Sequence, residues 1–450
     1  MDTSDLLHDA ATRAANYLAG LEERSVQPSV AAVDSLRRLA EPLPSSGSAP
    51  EDVLALLDEV VSPATMGMAG PRFLGFVIGG ALPVTLAANL LASVWDQNSA
   101  LHEVTPGTAT LETVVLGWLR ELFGLPRAAS GGFVTGATMA NATALAAARH
   151  RVLANAGWDV EADGLFGAPP IQVVVGGEVH PTVRKALGML GFGRTRVSEV
   201  EADAQGRMRA DRLPDLTTPS IVILQAGNVN SGAFDDFAEL VPLAHQAGAW
   251  VHIDGAFGLW AAASPELRHL TAGMAEADSW STDFHKWLNV PYDSGIALTS
   301  DPQAHASAMA VTAAYLPRST QRDPSDFTPE LSRRARGVEV WAALRALGRQ
   351  GVAGMVLRNV RQAQRFAAGL TEHGFEVLND VVLNQVVVSF GTPDHTLAVV
   401  AALREDGTCY VGPTVWQGRT AMRISLSSWA TTDDDVERCL AVMVRIAGSA

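Results

Sequence analysis

The sequence predicts an α/β fold with a large, mainly parallel sheet, followed by a smaller α+β domain at the C-terminal end. Three observations lead there. Short, wholly apolar runs at 171–175, 221–224 and 250–253 alternate with helical stretches, and a strand without a polar face belongs in a parallel sheet covered by helices on both sides. Each run ends in a polar, glycine-containing loop or at a polar residue, and this is the edge at which such sheets hold ligands. After about Arg349 the pattern changes to a long helix, then half-exposed alternation at 375–378, 385–390 and 421–426, then a helix from Asp433.

Taken in order, residues 4–22 and 51–61 carry apolar residues at helical spacing, joined through a Pro/Ser/Gly-rich linker at 42–50. Val134 leads through a Gly/Thr turn into an alanine-rich helix over 141–155. The run at 171–175 precedes His180-Pro181 and another helical stretch. The expected division is an N-terminal helical segment (1–85), a large α/β domain (86–310), and a mobile loop with a small α+β domain (311–450).

Of the 450 residues, 48% are hydrophobic and 18% charged, and the net charge is −15. That balance speaks against a sequence-independent nucleic-acid binder, and the one basic cluster, Arg333, Arg334 and Arg336, is too small for a polyanion face. Cys409 and Cys439 have neither CxxC nor metal-ligand spacing, so no metal site and no disulfide framework is expected, and a reducing cytoplasm fits. Residues 1–10 lack the basic start of a signal peptide. The apolar stretch at 82–94 is well short of the ~20 residues that span a membrane.

Four features at strand ends carry chemistry. Lys286 sits between His285 and Trp287, near Phe284, in a segment with few other charges; burial there lowers a lysine's pKa toward imine chemistry. Asp254 ends the run at 250–253 and is followed by Gly255 and Ala256, with Lys286 lying 32 residues further on. Gly136-Ala137-Thr138 opens a helix, where backbone N–H groups cradle phosphate. His180 follows the run at 171–175 and can lie flat on an aromatic ring. Each has a plainer reading alone: a snorkelling surface lysine, an aspartate or histidine capping a helix, an ordinary helix start. Their order along one sheet edge favours the functional set.

These residues resemble group II pyridoxal-phosphate decarboxylases, the family of aromatic-amino-acid and glutamate decarboxylases. The likeness runs from about Pro71 to about Asp435. It includes Pro71-Arg72-Phe73, Leu111-Glu112, the Gly136 turn, His180-Pro181, Ala226-Gly227 with Gly232-Ala233-Phe234-Asp235, and His252-Ile253-Asp254. The most specific part is Ala277-Asp278-Ser279 with His285-Lys286-Trp287-Leu288. The resemblance implies a type I pyridoxal-phosphate-dependent transferase-like fold with a mainly parallel, seven-stranded-type sheet. It also implies a homodimer with shared active sites, the N-terminal segment packing on the partner.

Residue by residue, it implies that Lys286 holds pyridoxal 5'-phosphate and Asp254 pairs with the pyridine nitrogen. His180 then stacks on the ring, Ala256 lies under it, and Ala137, Thr138 and His285 bind phosphate. Tyr315 lies 29 residues beyond Lys286, in Ala314-Tyr315-Leu316-Pro317, where the family carries the tyrosine that protonates the carbanion. The polar, proline-rich stretch 318–329 is expected to be a mobile lid.

The chain departs from the family in carrying Asn228 and Val229 where threonines are usual, which bears on a contact to the ring oxygen. Asp283 stands near the phosphate region, where an uncharged residue is also common. Phe76, Trp95 and His102 are candidate substrate contacts, and a neutral, aromatic or apolar side chain is the expected substrate class. The competing readings are other chemistry on the same fold (aldehyde-forming decarboxylation, C–C lyase or transaminase) and a non-catalytic cofactor-binding homologue.

Overall fold

The computed structural model describes residues 2–311 and 320–449. The chain forms two compact units. The larger comprises Ala81–Gln364 with Asn379–Val386; the smaller comprises Met1–Gly80, Arg365–Leu378 and Val387–Ala450. By contacts, then, the larger unit continues well past the expected boundary at 310, and the first 80 residues group with the C-terminal part.

The larger unit is built on seven strands: β1 (Ser130–Val134), β2 (Gln172–Gly176), β3 (Ser198–Val200), β4 (Ser220–Gln225), β5 (Trp250–Asp254), β6 (Ser279–Asp283) and β7 (Gly295–Thr299). Their order is β1-β7-β6-β5-β4-β2-β3. Neighbours from β6 across to β3 run parallel, and β7 alone opposes both of its neighbours. The expected mainly parallel sheet is therefore present. β4 and β5 are buried at every position, as their unbroken apolar runs require.

Helix α1 (Pro106–Phe123) precedes β1, and helix α2 (Ala137–Asn155) follows it. In α2, Ala140, Ala144, Ala147 and Ala148 are buried; methyl-sized side chains let the helix lie close to the sheet. Leu145 and Val152 of α2 join Val173, Val175, Ile221 and Ile223 in one apolar cluster. The helix begins at Ala137 rather than Asn141, so the Gly/Thr turn is its first turn and Asn141 lies one turn inside. A third helix, α3 (Pro181–Met189), follows β2. The long helical stretch is Gly337–Glu372, interrupted at Gly348, where φ is 61°.

A second sheet, belonging to the smaller unit except for Gln385 and Val386, pairs β8 (Glu376–Val377), β9 (Gln385–Ser389), β10 (Gly412–Trp416) and β11 (Arg419–Ser425) in the order β10-β11-β9-β8. β9 was expected to be half exposed but is buried at every position, as its central Val386-Val387-Val388 run favours. The final helix, Asp433–Ala447, starts with a capping box between Thr432 and Asp435, which satisfies two otherwise open backbone donors. Cys409 and Cys439 are free and buried. Among the described residues no helix is long and apolar enough to cross a membrane.

A buried ionic knot fixes the rim of the large sheet. Arg333, with no exposed side-chain surface, donates to Glu112 Oε1 of α1 at 2.7 Å. It also donates to the carbonyls of Ser99 at 2.6 Å and Phe133 of β1 at 2.9 Å. Arg322 donates to the Gly131 carbonyl on the same strand and stacks over Phe327. Asp323 accepts from the His102 backbone N–H at 2.7 Å, and Ser325 N–H donates to the Ala100 carbonyl at 3.0 Å. A Cβ at Gly132 would lie 1.8 Å from the Phe327 carbonyl oxygen. Within the stretch expected to be a mobile lid, residues Arg322 to Phe327 are fastened to β1 and to the loop before α1. Arg334 and Arg336 are also engaged, by Glu339 and Asp293, so the basic cluster is consumed internally.

Removing one partner of a buried ion pair strands the other charge at a cost of about 3–5 kcal/mol. Arg333→Met should therefore lower stability by about that amount, read from urea unfolding by tryptophan fluorescence. A loss below about 1 kcal/mol would contradict this account. His252 and His305 are both fully buried, and desolvation lowers each from 6.5 to about 3. Between those values the unfolded chain binds protons that the fold does not, so stability should fall as pH drops through that window. The slope is about 1.4 kcal/mol per pH unit for each histidine. His305→Gln should remove one proton's worth of that slope between pH 6 and 5; an unchanged slope would refute the assignment.

Candidate active site

The carboxyl ends of β5 and β6 lie side by side: Gly255 N–H donates to the Ser281 carbonyl at 3.0 Å and Asp283 N–H to the Ala256 carbonyl at 2.9 Å. This register places Asp254 and the Lys286 loop on one rim. Phe284 and Trp287 are wholly buried, and Trp287 Nε1 donates to Asn359 at 3.0 Å. The rings that flank Lys286 anchor the loop, while the lysine side chain keeps 20% of its surface exposed.

Asp254 is held from behind. Its Oδ2 accepts from Asn141 Nδ2 at 3.1 Å, and its Oδ1 accepts from Ala256 N–H at 3.1 Å. Because a carboxylate only accepts, the amide nitrogen of Asn141 must face it and Asn141 Oδ1 must face the other way. There it receives Ser281 Oγ at 2.5 Å and His252 Nε2 at 2.9 Å. His252 Nδ1 sits 2.9 Å from Ser279 Oγ, which itself accepts from Trp250 Nε1 at 2.9 Å. Burial keeps His252 neutral, pushed down to about 3, so its single ring proton lies on Nε2 toward Asn141. The aspartate ends a chain of oriented dipoles reaching across β5, β6 and α2.

The Gly136 turn faces the lysine loop. Asp283 Oδ1 accepts from the Ala137 N–H at the start of α2, and Asp283 Oδ2 lies 2.9 Å from Lys286 Nζ. A Cβ at Gly136 would stand 2.8 Å from the His285 ring and 3.0 Å from Asp283, and one at Gly295 would stand 2.6 Å from Gly136 Cα. His285 stacks on Tyr292 at 4.2 Å and accepts from Ser294 N–H at 3.1 Å. Burial first, with Lys286 adding to it, pushes the His285 imidazole below its usual value. Thr138 lies partly buried in the same first turn.

Asn228 is 1% exposed. Its Oδ1 accepts from the backbone N–H groups of Asn230 and Ser231 at 2.8 and 3.2 Å, while its buried Nδ2 has no acceptor among the described residues. A donor left open after β4, a two-glycine cleft at a helix start, and a lysine on the same sheet rim as a dipole-held carboxylate together fit a flat, phosphorylated aldehyde cofactor. His180 caps α3: its Nδ1 accepts from Thr182 N–H at 3.3 Å and lies 2.6 Å from Thr182 Oγ1. The capping reading holds, and it leaves the ring's orientation set by Nδ1.

The substrate candidates are not gathered in the same way. Trp95 is 47% exposed at the end of the helix Pro83–Trp95, so it is not a core residue. His102 is engaged through its backbone by Asp323. Phe76, in the smaller unit, is 58% exposed and lies 6.1 Å from Tyr410. Tyr315 lies outside the described residues. The sequence reading did not single out Asn141, Ser279, Ser281 or His252 as partners. Their signal was polar residues at alternate positions in otherwise buried strands, Trp250-Val251-His252 and Ser279-Trp280-Ser281.

Comparison with known proteins agrees with this geometry. Residues 34–391 match the model of the pyridoxal-dependent decarboxylase conserved domain. An aromatic-L-amino-acid decarboxylase of Bacillus atrophaeus is 32% identical over 329 residues, 70% of this chain and 66% of that protein. An L-2,4-diaminobutyrate decarboxylase of Rhizobium meliloti (strain 1021) is 29% identical over 430 residues, covering 89% of this chain and 82% of the relative. Among solved structures, Oryza sativa TDC with PLP and tryptamine superposes with a TM-score of 0.93 at 22% identity, covering 100% of this chain and 98% of that one. Strand order, lysine loop and family match lead to one conclusion: the chain belongs to the pyridoxal-dependent decarboxylase family and is a pyridoxal-phosphate-dependent carboxy-lyase.

Proposed function

We propose that this enzyme removes the α-carboxylate of an L-amino acid with a neutral, aromatic or apolar side chain, giving the amine and CO2. The observation that carries the reading is that Lys286 and a dipole-held Asp254 stand on one sheet rim, at the adjoining ends of β6 and β5. The relatives named as aromatic-L-amino-acid decarboxylases support the substrate class, and the diaminobutyrate relative is the competing precedent. Cytoplasmic location and a homodimer with shared sites, the N-terminal segment against the partner, complete the proposal. The two free thiols are consistent with the first.

Pyridoxal phosphate, when bound, supplies a ring that accepts the electron pair released by the breaking Cα–carboxylate bond. Lys286 would hold it covalently through Nζ. Asp254 would keep a proton on the ring nitrogen, and the amide of Asn141 together with Ala256 N–H keeps that carboxylate aimed. Ala137, Thr138 and His285 would receive the phosphate, with the helix start of α2 favouring negative charge. His180 and Ala256 would bracket the ring, and Asn228 Nδ2 would donate to an oxygen on it. Trp95, Phe76 and His102 remain the proposed substrate contacts. Tyr315 would deliver a proton to Cα.

The Lys286→Ala protein should lose the visible absorbance of the loaded enzyme together with its activity; a coloured, active variant would refute the anchor. In Tyr315→Phe, amine production should fall by about 10²- to 10⁴-fold while aldehyde and peroxide appear. Amine release at the wild-type rate, followed by chromatography of the products, would remove the role given to that tyrosine. A screen of L-amino acids for CO2 release fixes the substrate class.

A further inference from the structure

Three residues beyond the lysine, Asn289 stands in a conformation that few side chains tolerate. Its φ is 55°, in the left-handed region that glycine enters freely and asparagine more readily than most, because its short amide bonds nearby backbone. It is wholly buried between Leu288 and Val290, which are buried too. The amide is put to use: Asn289 Nδ2 donates to the Lys286 carbonyl at 3.0 Å. The turn thus folds back onto the lysine that it follows.

Further bonds hold the turn itself. The Asn289 carbonyl accepts from Leu82 N–H at 2.8 Å, at the residue that caps the helix Pro83–Trp95. Val290 N–H donates to the Phe284 carbonyl at 3.4 Å, and Trp287 is tied to Asn359 at 3.0 Å. Within this closed loop the residue type at 289 decides two things. Glycine would allow the left-handed turn but offer no side-chain donor, and an ionised aspartate would offer only acceptors. Asparagine provides turn and donor together, in a buried setting where such a bond counts for more than at a surface.

The consequence falls on Lys286. A long side chain reaches a fixed point only if its own backbone does not swing. Holding the Lys286 carbonyl leaves fewer torsions to be ordered when Nζ meets its target. We infer that Asn289 is a positioning residue for Lys286, holding the lysine backbone so that Nζ reaches the cofactor aldehyde. In that step the amine adds to the aldehyde carbon and water leaves, so a C=N bond replaces C=O. The inference rests on the reading of Lys286 as the anchor. It concerns that bond rather than the grip on ring and phosphate. Ala137 and Thr138 lie on α2 and Asp254 on β5, and His285 is held separately by Ser294 N–H.

Two ligands separate these roles. Pyridoxal 5'-phosphate is titrated into the full-length, cofactor-stripped protein by visible absorbance. Pyridoxine 5'-phosphate, which has the ring and phosphate but no aldehyde, is titrated by calorimetry. In Asn289→Gly the dissociation constant of the aldehyde ligand should rise about 3- to 10-fold, as loss of one hydrogen bond implies. That of the alcohol should stay within about twofold. Asn289→Asp, which keeps the turn and removes the donor, should lose at least as much and serves as the second variant. Adding Asn289→Gly to Lys286→Ala should change neither constant, because the lysine through which it acts is gone. Unchanged affinity for the aldehyde ligand, or an equal loss for both ligands, would overturn the inference while leaving the anchor in place. If Lys286→Ala alone binds pyridoxal 5'-phosphate as tightly and with the same colour as wild type, the anchor falls, and the inference with it.

Discussion

The side-chain amide of Asn141 is the contact on which the rest of the site depends. It bonds Asp254 with its nitrogen and receives Ser281 and His252 with its oxygen. One residue thus ties helix α2 to strands β5 and β6. Every member is buried, where an unpaired polar group costs about 1–3 kcal/mol, so the network specifies a single arrangement. Since α2 also presents its first N–H groups at the Gly136 turn, the position of the cradle and the aim of the carboxylate are set by the same rigid body.

A second constraint acts from the rim. Glu112 receives Arg333 and faces Arg322 at 3.8 Å, and both arginines also hold carbonyls of β1. Desolvating these charges is expensive, and burial with the neighbouring Arg333 lowers Arg322 to about 10 despite the pull of Glu112. Such a knot contributes fixed geometry more than net stability. Its effect is to clamp the chain after the segment that carries Tyr315 onto the strand that leads into the cofactor turn.

Much of this was legible in the sequence. The apolar runs at 221–224 and 250–253 gave β4 and β5 within a residue or two, because a strand buried on both faces leaves a contiguous signal. Lys286, Asp254 and the Gly136 turn stood out because charge and glycine at strand ends have few other uses. What escaped was pairing between distant positions. Nothing local tells Asn141 to face Asp254, and nothing in the stretch 318–329 announces that Arg322 is drawn onto Gly131. A polar loop and a clamped one have the same composition. The alternation of 385–390 suggested exposure, yet β9 is buried; period alone does not say whether the second face finds a cover.

In the seven-stranded sheet, β7 runs against both of its neighbours and is inserted between β1 and β6. Its Gly295 backs onto Gly136, about 160 residues earlier in the chain. The cleft for the cofactor therefore cannot close while the chain is still emerging from the ribosome at β6. Strands β2 to β5 can associate as they appear, through contacts local enough to form early. The edge that closes the cleft must wait for some 300 residues of synthesis. A chain stalled before β7 would therefore carry most of the sheet without presenting a closed cleft.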